Sequence, residues 1–372
     1  MERPNITFAS NHNAEFYKTL QQRVREYFKE NNISRFGNKG MVFKTVFMIS
    51  LYVVPFILLN TVFNESVGLT ILMWVLMGFG MAGVGLSIMH DANHGAYSKN
   101  DTVNKLLGLV INGVGGSDVN WRIQHNVLHH TYTNVSGYDE DIDPGKIMRF
   151  TPRAERLGIH KYQHIYAWFF YGMMTLMWCT AKDFVQAARF KRQNLLKTQN
   201  ITYGKLIRAI IITKILYFTI ILFIPLYFHT TILSIPATIG CFLLMHFIAG
   251  VSLAAIFQPA HVVPTSTYEI PNESGVVEAD WAVNQLYNTA NFAPKAKFFS
   301  WFVGGLNFQV EHHLFPTISH VHYKKLSEIV KKTASEYNLP YYSYKTFFDA
   351  VKEHTKMLHD LGTKDFAPAM HH

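Results

Sequence analysis

The sequence predicts an all-α integral membrane protein with four transmembrane helices, paired as two hairpins under a cytoplasmic helical cap. Three observations carry this. Four stretches are long and apolar enough to cross a bilayer, which takes about 20 residues as helix. Only 16% of the 372 residues are charged, against 49% hydrophobic and 15% aromatic, where a soluble domain carries about 25% charge. Nearly all of the lysines and arginines fall outside the apolar stretches, and none falls in the two short connectors between them.

The spans run from about Met41 to Phe63, Val67 to Met89, Leu206 to Phe228 and Ile232 to Phe257. The connectors Asn64-Glu65-Ser66 and His229-Thr-Thr231 hold no Lys or Arg. The N-terminal segment, Asp91–Lys205 and Gln258–His372 hold nearly all the basic charge, so the positive-inside rule places all three in the cytoplasm. The net charge of +9 is therefore read as topology rather than nucleic-acid binding. Lys214 and His246 interrupt the later spans, as residues near an interface or with a function do.

Leu106–Val114 is too short to span, and Tyr166–Thr180 has the aromatic make-up of an interfacial belt; both read as interfacial or re-entrant helices. Tyr323–Leu361 is amphipathic and reads as helix. Met1–Lys39 lacks the apolar core of a cleavable signal, so the first span is expected to act as the insertion signal. Cys179 and Cys241 lie in apolar stretches and imply neither a disulfide framework nor an iron–sulfur cluster. The whole chain, 1–372, reads as one domain: a cytoplasmic segment over 1–40, a membrane and catalytic core over 41–322, and cytoplasmic helices and tail over 323–372.

Seven of the 19 histidines fall into three clusters: His90-Asp-Ala-Asn-His94, His125-Asn-Val-Leu-His129-His130, and His312-His313 preceded by Gln309. His261 stands alone between the second and third. A four-residue spacing stacks two imidazoles on one face of a helix. Adjacent histidines diverge by about 100°, so one helix can serve two ions. The predicted topology puts every cluster on one side of the membrane. Imidazole without thiolate suits zinc, iron or copper, and this much of it exceeds the needs of one ion. Asp91, Asp139, Glu140, Asp141, Asp143 and Glu311 are expected to hold the second imidazole nitrogens. His160, His164, His246, His320 and His322 default to packing or supporting places.

These motifs resemble the membrane fatty acid desaturase superfamily over about Met41 to Tyr323. His125-Asn-Val-Leu-His-His-Thr-Tyr-Thr-Asn134 followed by Asp139-Glu-Asp-Ile-Asp143 is similar to the second box of bacterial acyl desaturases. Trp281–Phe292 and Gly304–Pro316 resemble the region through the third box. A third box opening with Gln309 resembles the front-end group, which inserts a double bond between an existing one and the carboxyl end. The resemblance implies a non-haem centre of two iron ions, with O₂ as co-substrate in the desaturation of a fatty acyl chain. It implies ligands at His90, His94, His125, His129, His130, His312 and His313, with His261 and Gln309 added.

The chain has no His-Pro-Gly-Gly haem motif and no dinucleotide fingerprint. A fused cytochrome b5 domain is thus not expected, and electrons are expected from a separate donor, ferredoxin or cytochrome b5 with its reductase. The basic blocks Arg149–Lys161 and Arg189–Lys197 are candidate docking places, with membrane lipid as their other partner. The bacterial inner membrane is the expected location. Alternatives are a hydroxylase or a desaturase of other regiochemistry in the same superfamily, a membrane metal-binding or transport protein, and a bis-histidine haem protein.

Overall fold

The computed structural model describes residues 6–9, 14–62, 66–228 and 233–366. The predicted connectors at Asn64-Glu65 and His229–Thr231, and the terminal histidines, lie outside the described residues. The chain divides into two compact units. One is built mainly from Asn38–Ile123 and Trp168–Ala254, the other from Arg3–Gly37, Gln124–Ala167 and Ala255–His372.

Among the described residues, four helices are long and apolar enough to cross a membrane: Lys39–Thr61, Val67–Asn93, Tyr203–Phe228 and Ile235–His261. Asn38 and Ser66 cap the first two, each side chain accepting from an amide at the start of its helix. That satisfies donors the first turn would otherwise leave open. Lys39–Thr61 and Tyr203–Phe228 are 28% buried, Val67–Asn93 67% and Ile235–His261 56%. The first and third thus turn most of their surface outward, as Phe43, Val46, Ile57, Ile212 and Ile215 do, and the second and fourth form the inside. At Gly80 a Cβ would stand 2.6 Å from the Leu51–Tyr52 backbone, so the first two helices reach this approach only with glycine there.

Two of these helices, and a third outside them, run into π-helical turns. Val84–Met89 interrupts the second span, Thr219–Phe223 the third, and Trp178–Lys182 follows the helix Gln163–Met177. The core of the first unit gathers Trp74, Met77, Met81, Tyr217, Phe242 and Met245. Lys214 and His246, the two residues that interrupt the later spans, are both satisfied. The Lys214 amine donates to Gly115 O at 2.6 Å and Trp178 O at 2.7 Å, and pairs with the Asp183 carboxylate. Asp183 is also held by Asn120, whose amide donates to its backbone oxygen at 2.8 Å. His246 lies between Tyr217 OH, 2.9 Å from Nε2, and Thr175 Oγ1, 3.0 Å from Nδ1. Burying such groups unpaired costs several kcal/mol, on the order of 3–5 for one half of an ion pair.

In the second unit the helix Ala14–Glu30 packs on Tyr323–Glu336. Phe16, Leu20 and Val24 recur every four residues on one helix, as do Leu326, Val330 and Ala334 on the other, and all are buried in one core. Full burial of each larger side chain contributes about 1.5–3 kcal/mol. Two short parallel pairings complete the unit: Thr7–Phe8 with Val276–Val277, and Ala290–Phe292 with Tyr342–Tyr344. The second corrects the reading of Tyr323–Leu361 as continuous helix. The helix stops at Glu336 and resumes at Phe347. Asn338 takes a left-handed φ of 54°, as helix-ending residues do, and Pro340 cannot continue a helix.

Candidate metal centre

His90 and His94 lie in the first unit, at the end of the second span. Their ring centroids are 4.8 Å apart, and both rings stand edge-on to Trp121 at 5.5 and 5.7 Å. The predicted four-residue pairing is therefore present. His94 caps the short helix His90–Asn93, its amide bonded to His90 O at 3.1 Å.

The other histidines of the three motifs, with Gln309, lie in the second unit and are buried. The second cluster departs from the α-helical spacing expected for it. Arg122–His129 is a π-helical turn, and His130 N donates to His125 O, five residues back, at 3.0 Å. This wider turn brings Nε2 of His125 and His130 to 3.2 Å, while the rings of His125 and His129 remain stacked with centroids 5.4 Å apart. His130 Nε2 also lies 2.9 Å from His312 Nε2. Three ring nitrogens this close, from two separate elements, form the donor pattern of a shared cation. A second set is His129, His261 and His313, and a third is His130, His312 and His313. Within the second and third sets the available ligand atoms lie within 4.8 Å of one another.

A layer of neighbours fixes how these rings point. His129 Nδ1 is 2.9 Å from Asp139 Oδ2. His261 Nδ1 donates to Asn288 O at 3.0 Å. His313 Nδ1 meets Gln285 Oε1 at 2.9 Å, and the Thr133 hydroxyl donates to that same oxygen at 2.8 Å. His312 Nδ1 lies 3.2 Å from the Tyr323 hydroxyl. With Nδ1 engaged in all four, Nε2 is left as the coordinating nitrogen. At His261 that nitrogen is buried and has no hydrogen-bond partner, and Gln309 lies close enough to interact without hydrogen-bond geometry. Gln309 itself donates to Leu306 O at 2.8 Å, and its buried Oε1 has no partner. Leaving such acceptors unpaired costs about 1–3 kcal/mol each. A cation would remove that cost, so the donor set fits a metal.

The electrostatics agree. Burial alone would raise the Asp139 carboxyl, but His129 and the amides of Asn134 and Asp141 hold it below its ordinary value. Burial lowers the metal-free His129 ring, and Asp139 and Asp141 lift it to about 9. Asp139 thus meets the expectation of a carboxylate behind an imidazole. Glu311 does not. Burial pushes its carboxyl up to about 7, opposed by hydrogen bonds from Asn291 at 2.8 Å and Tyr341 at 3.0 Å, so it braces the far side of the third-motif helix Gln309–Leu314. Among the histidines expected only to pack, His160 is buried, with Nε2 3.0 Å from Lys146 O.

Sequence reasoning missed Gln285, Asn288, Asn134 and Tyr323. Asn134 ties the layer together, its amide N–H donating to Asp139 and its side chain to His261 O at 3.0 Å and Asn288 Oδ1 at 3.1 Å. A signal was present: the short helix Trp281–Asn288 buries Asn284, Gln285 and Asn288, and buried amides require partners.

Four apolar helices and a buried imidazole cluster define a helical membrane protein whose histidines are arranged as a metal site would need. Comparison with known proteins gives the family. The fatty acid desaturase family model matches residues 66–345. The chain is 35% identical to the sn-1 linoleoyl-lipid 6-desaturase of Arthrospira platensis, over 90% of this chain and 89% of that protein. It is 34% identical to the acyl-lipid (8-3)-desaturase of Physcomitrium patens, over 98% and 75%. It is 32% identical to the probable Delta(5) fatty acid desaturase C of Dictyostelium discoideum, over 95% and 77%. The chain belongs to the fatty acid desaturase family. It is an oxidoreductase that acts on a fatty acyl substrate.

Proposed function

We propose that this protein is a front-end acyl-lipid desaturase working at a centre of two non-haem irons. The observation that carries the reading is the set of buried imidazoles whose Nδ1 atoms are fixed by Asp139, Asn288, Gln285 and Tyr323. The relatives named for 6-, (8-3)- and Delta(5) desaturation support the regiochemistry. The proposed ligands are His90, His94, His125, His129, His130, His261, His312 and His313, with Gln309 as a weak or water-mediated one. Bound iron would supply O₂ activation; the net reaction takes two hydrogens from adjacent chain carbons, with two electrons and two protons, and yields two waters. The protein's own part is orientation. Asp139 and Gln285 hold the rings of His129 and His313, and the apolar surroundings keep bulk water away. One desaturase domain, 1–372, faces the cytoplasm with both termini, in a bacterial inner membrane, and receives electrons from ferredoxin or cytochrome b5.

Expression in a desaturase-poor host fed defined fatty acids tests this. New double bonds located by mass spectrometry on the carboxyl side of an existing one are expected. Hydroxylated products, or bonds only toward the methyl end, would overturn the regiochemical part. Fewer than two irons in the active purified protein would overturn the centre. Reporter fusions after Asn120 and at the C-terminus are expected to read cytoplasmic.

A further inference from the structure

Arg156 and Lys161 line a cavity of about 310 Å³ in the second unit, with Leu157, Gly158, Gly362 and Thr363. The fold builds it deliberately close. A Cβ at Gly362 would stand 2.0 Å from His160 O, so the end of the helix Phe347–Thr363 rests directly on the turn Gly158–Tyr162. A helix C-terminus ordinarily repels anions. Here several carbonyls near that end are occupied: Arg149 donates to Leu361 O at 2.6 Å, Lys364 N to Asp360 O at 2.8 Å and Gln163 to Leu358 O at 2.7 Å. Arg149 also donates to Pro152 O and Ala154 O, which shapes the loop carrying Arg156. The nearest opposing charge on Arg156 is Asp365, at 2.9 Å, and that carboxylate is 90% exposed. Exposed pairs of this kind exchange partners at little cost.

Beside these cations lies an apolar face. Ile159, Tyr162 and Ile165 are 56%, 57% and 65% exposed and recur every three residues. The Tyr166 hydroxyl, bonded to Ile147 O at 2.7 Å, holds half-exposed Ile147 by the same helix start. A water-soluble phosphate compound would use the cations and leave these side chains in water. An amphiphile would use both.

We propose that the Arg156–Lys161 cavity binds the phosphate of an anionic glycerophospholipid, whose acyl chains lie on Ile159, Tyr162 and Ile165. The segment 147–165 then rests in the headgroup layer, where apolar side chains sink toward the acyl boundary and basic ones meet phosphate. The site stands independently of the desaturation reading.

The test uses the full chain in neutral detergent, titrated with short-chain phosphatidylglycerol, with bound lipid counted by native mass spectrometry. Each basic residue near an anionic lipid surface contributes about fivefold. R156Q/K161Q is therefore expected to weaken retention roughly 25-fold, I159S/I165S to weaken it as well, and K161R to retain it. The exposed basic pair R192Q/K197Q is expected to bind as the unsubstituted protein does. A thermal melt confirms that each variant is folded; if R156Q/K161Q melts early, the single K161Q is read in its place. Unchanged retention in the folded variant overturns the proposal. So does displacement of the lipid by inorganic phosphate or coenzyme A at equal concentration, which would assign the cavity to a soluble phosphate. A variant that keeps its lipid but needs more ferredoxin for half-maximal turnover would assign the cations to donor docking instead.

Discussion

His246 and His261 sit on the same helix, Ile235–His261, and both are buried, yet their surroundings differ in kind. His246 has both ring nitrogens satisfied, by Tyr217 and Thr175. His261 has Nδ1 on Asn288 O and a buried Nε2 with no partner. A ring bonded on both sides is finished. One bonded on a single side is oriented and still has a lone pair to give. Burial therefore does not distinguish these two histidines; the bonding of the second nitrogen does.

The largest test of this contrast is His261→Ala. Desaturation is expected to fall by more than the roughly 10–100-fold typical of losing a supporting group, with less iron per chain and normal membrane insertion. Full activity with two irons would place His261 beside His246 as a packing residue. Next come the supports. Asp139→Asn and Gln285→Leu leave every imidazole present but release a ring, so activity or iron affinity is expected to drop about 10–100-fold; metal content and turnover measured together report it.

His246→Ala is expected to keep its iron and lose roughly 1–3 kcal/mol of stability, because Tyr217 and Thr175 lose their partner in an apolar core. Iron loss without destabilisation would break the comparison from the other side. The smallest effect concerns His354, buried with Nδ1 2.8 Å from Val262 O. Burial lowers its pKa from 6.5 to about 4, against the Val262 hydrogen bond. The unfolded chain takes up this proton first, so the contribution to stability is whole above pH 6.5 and is lost as pH falls toward 4. The loss is about 2 kcal/mol at pH 5 and under about 1 kcal/mol at pH 6. Melting curves of His354→Gln against the unsubstituted chain should converge over that range.

The spans and the histidine clusters were legible because each is written in neighbouring residues. Hydropathy gave Val67–Met89, and the helix ends only a turn later at Asn93. The layer behind the imidazoles was not legible. Gln285 and Asn288 share one short helix, but they and Asn134 lie far in the chain from the histidines they bond, and those bonds depend on tertiary placement. The π-helical turn at Arg122–His129 escaped for another reason: His-x-x-x-His-His offers both an α pairing and a five-residue one, and sequence spacing does not choose between them. The parallel pairing of Ala290–Phe292 with Tyr342–Tyr344 was hidden by its brevity, although Asn338-Leu-Pro340 marks where the helix had to stop.

The π-helical turn Val84–Met89 has a consequence for how this chain can change. Such a turn holds its hydrogen bonds five residues apart, so it accommodates one residue more than a regular turn. Deleting a single residue within it leaves a continuous, equally apolar helix. Everything beyond, His90 and His94 included, would then swing by about 100° and move about 1.5 Å along the axis. The aim of the first histidine pair is thus encoded by a count of residues rather than by the identity of any one of them. Insertions and deletions, more than substitutions, are the genetic events to which it is most exposed.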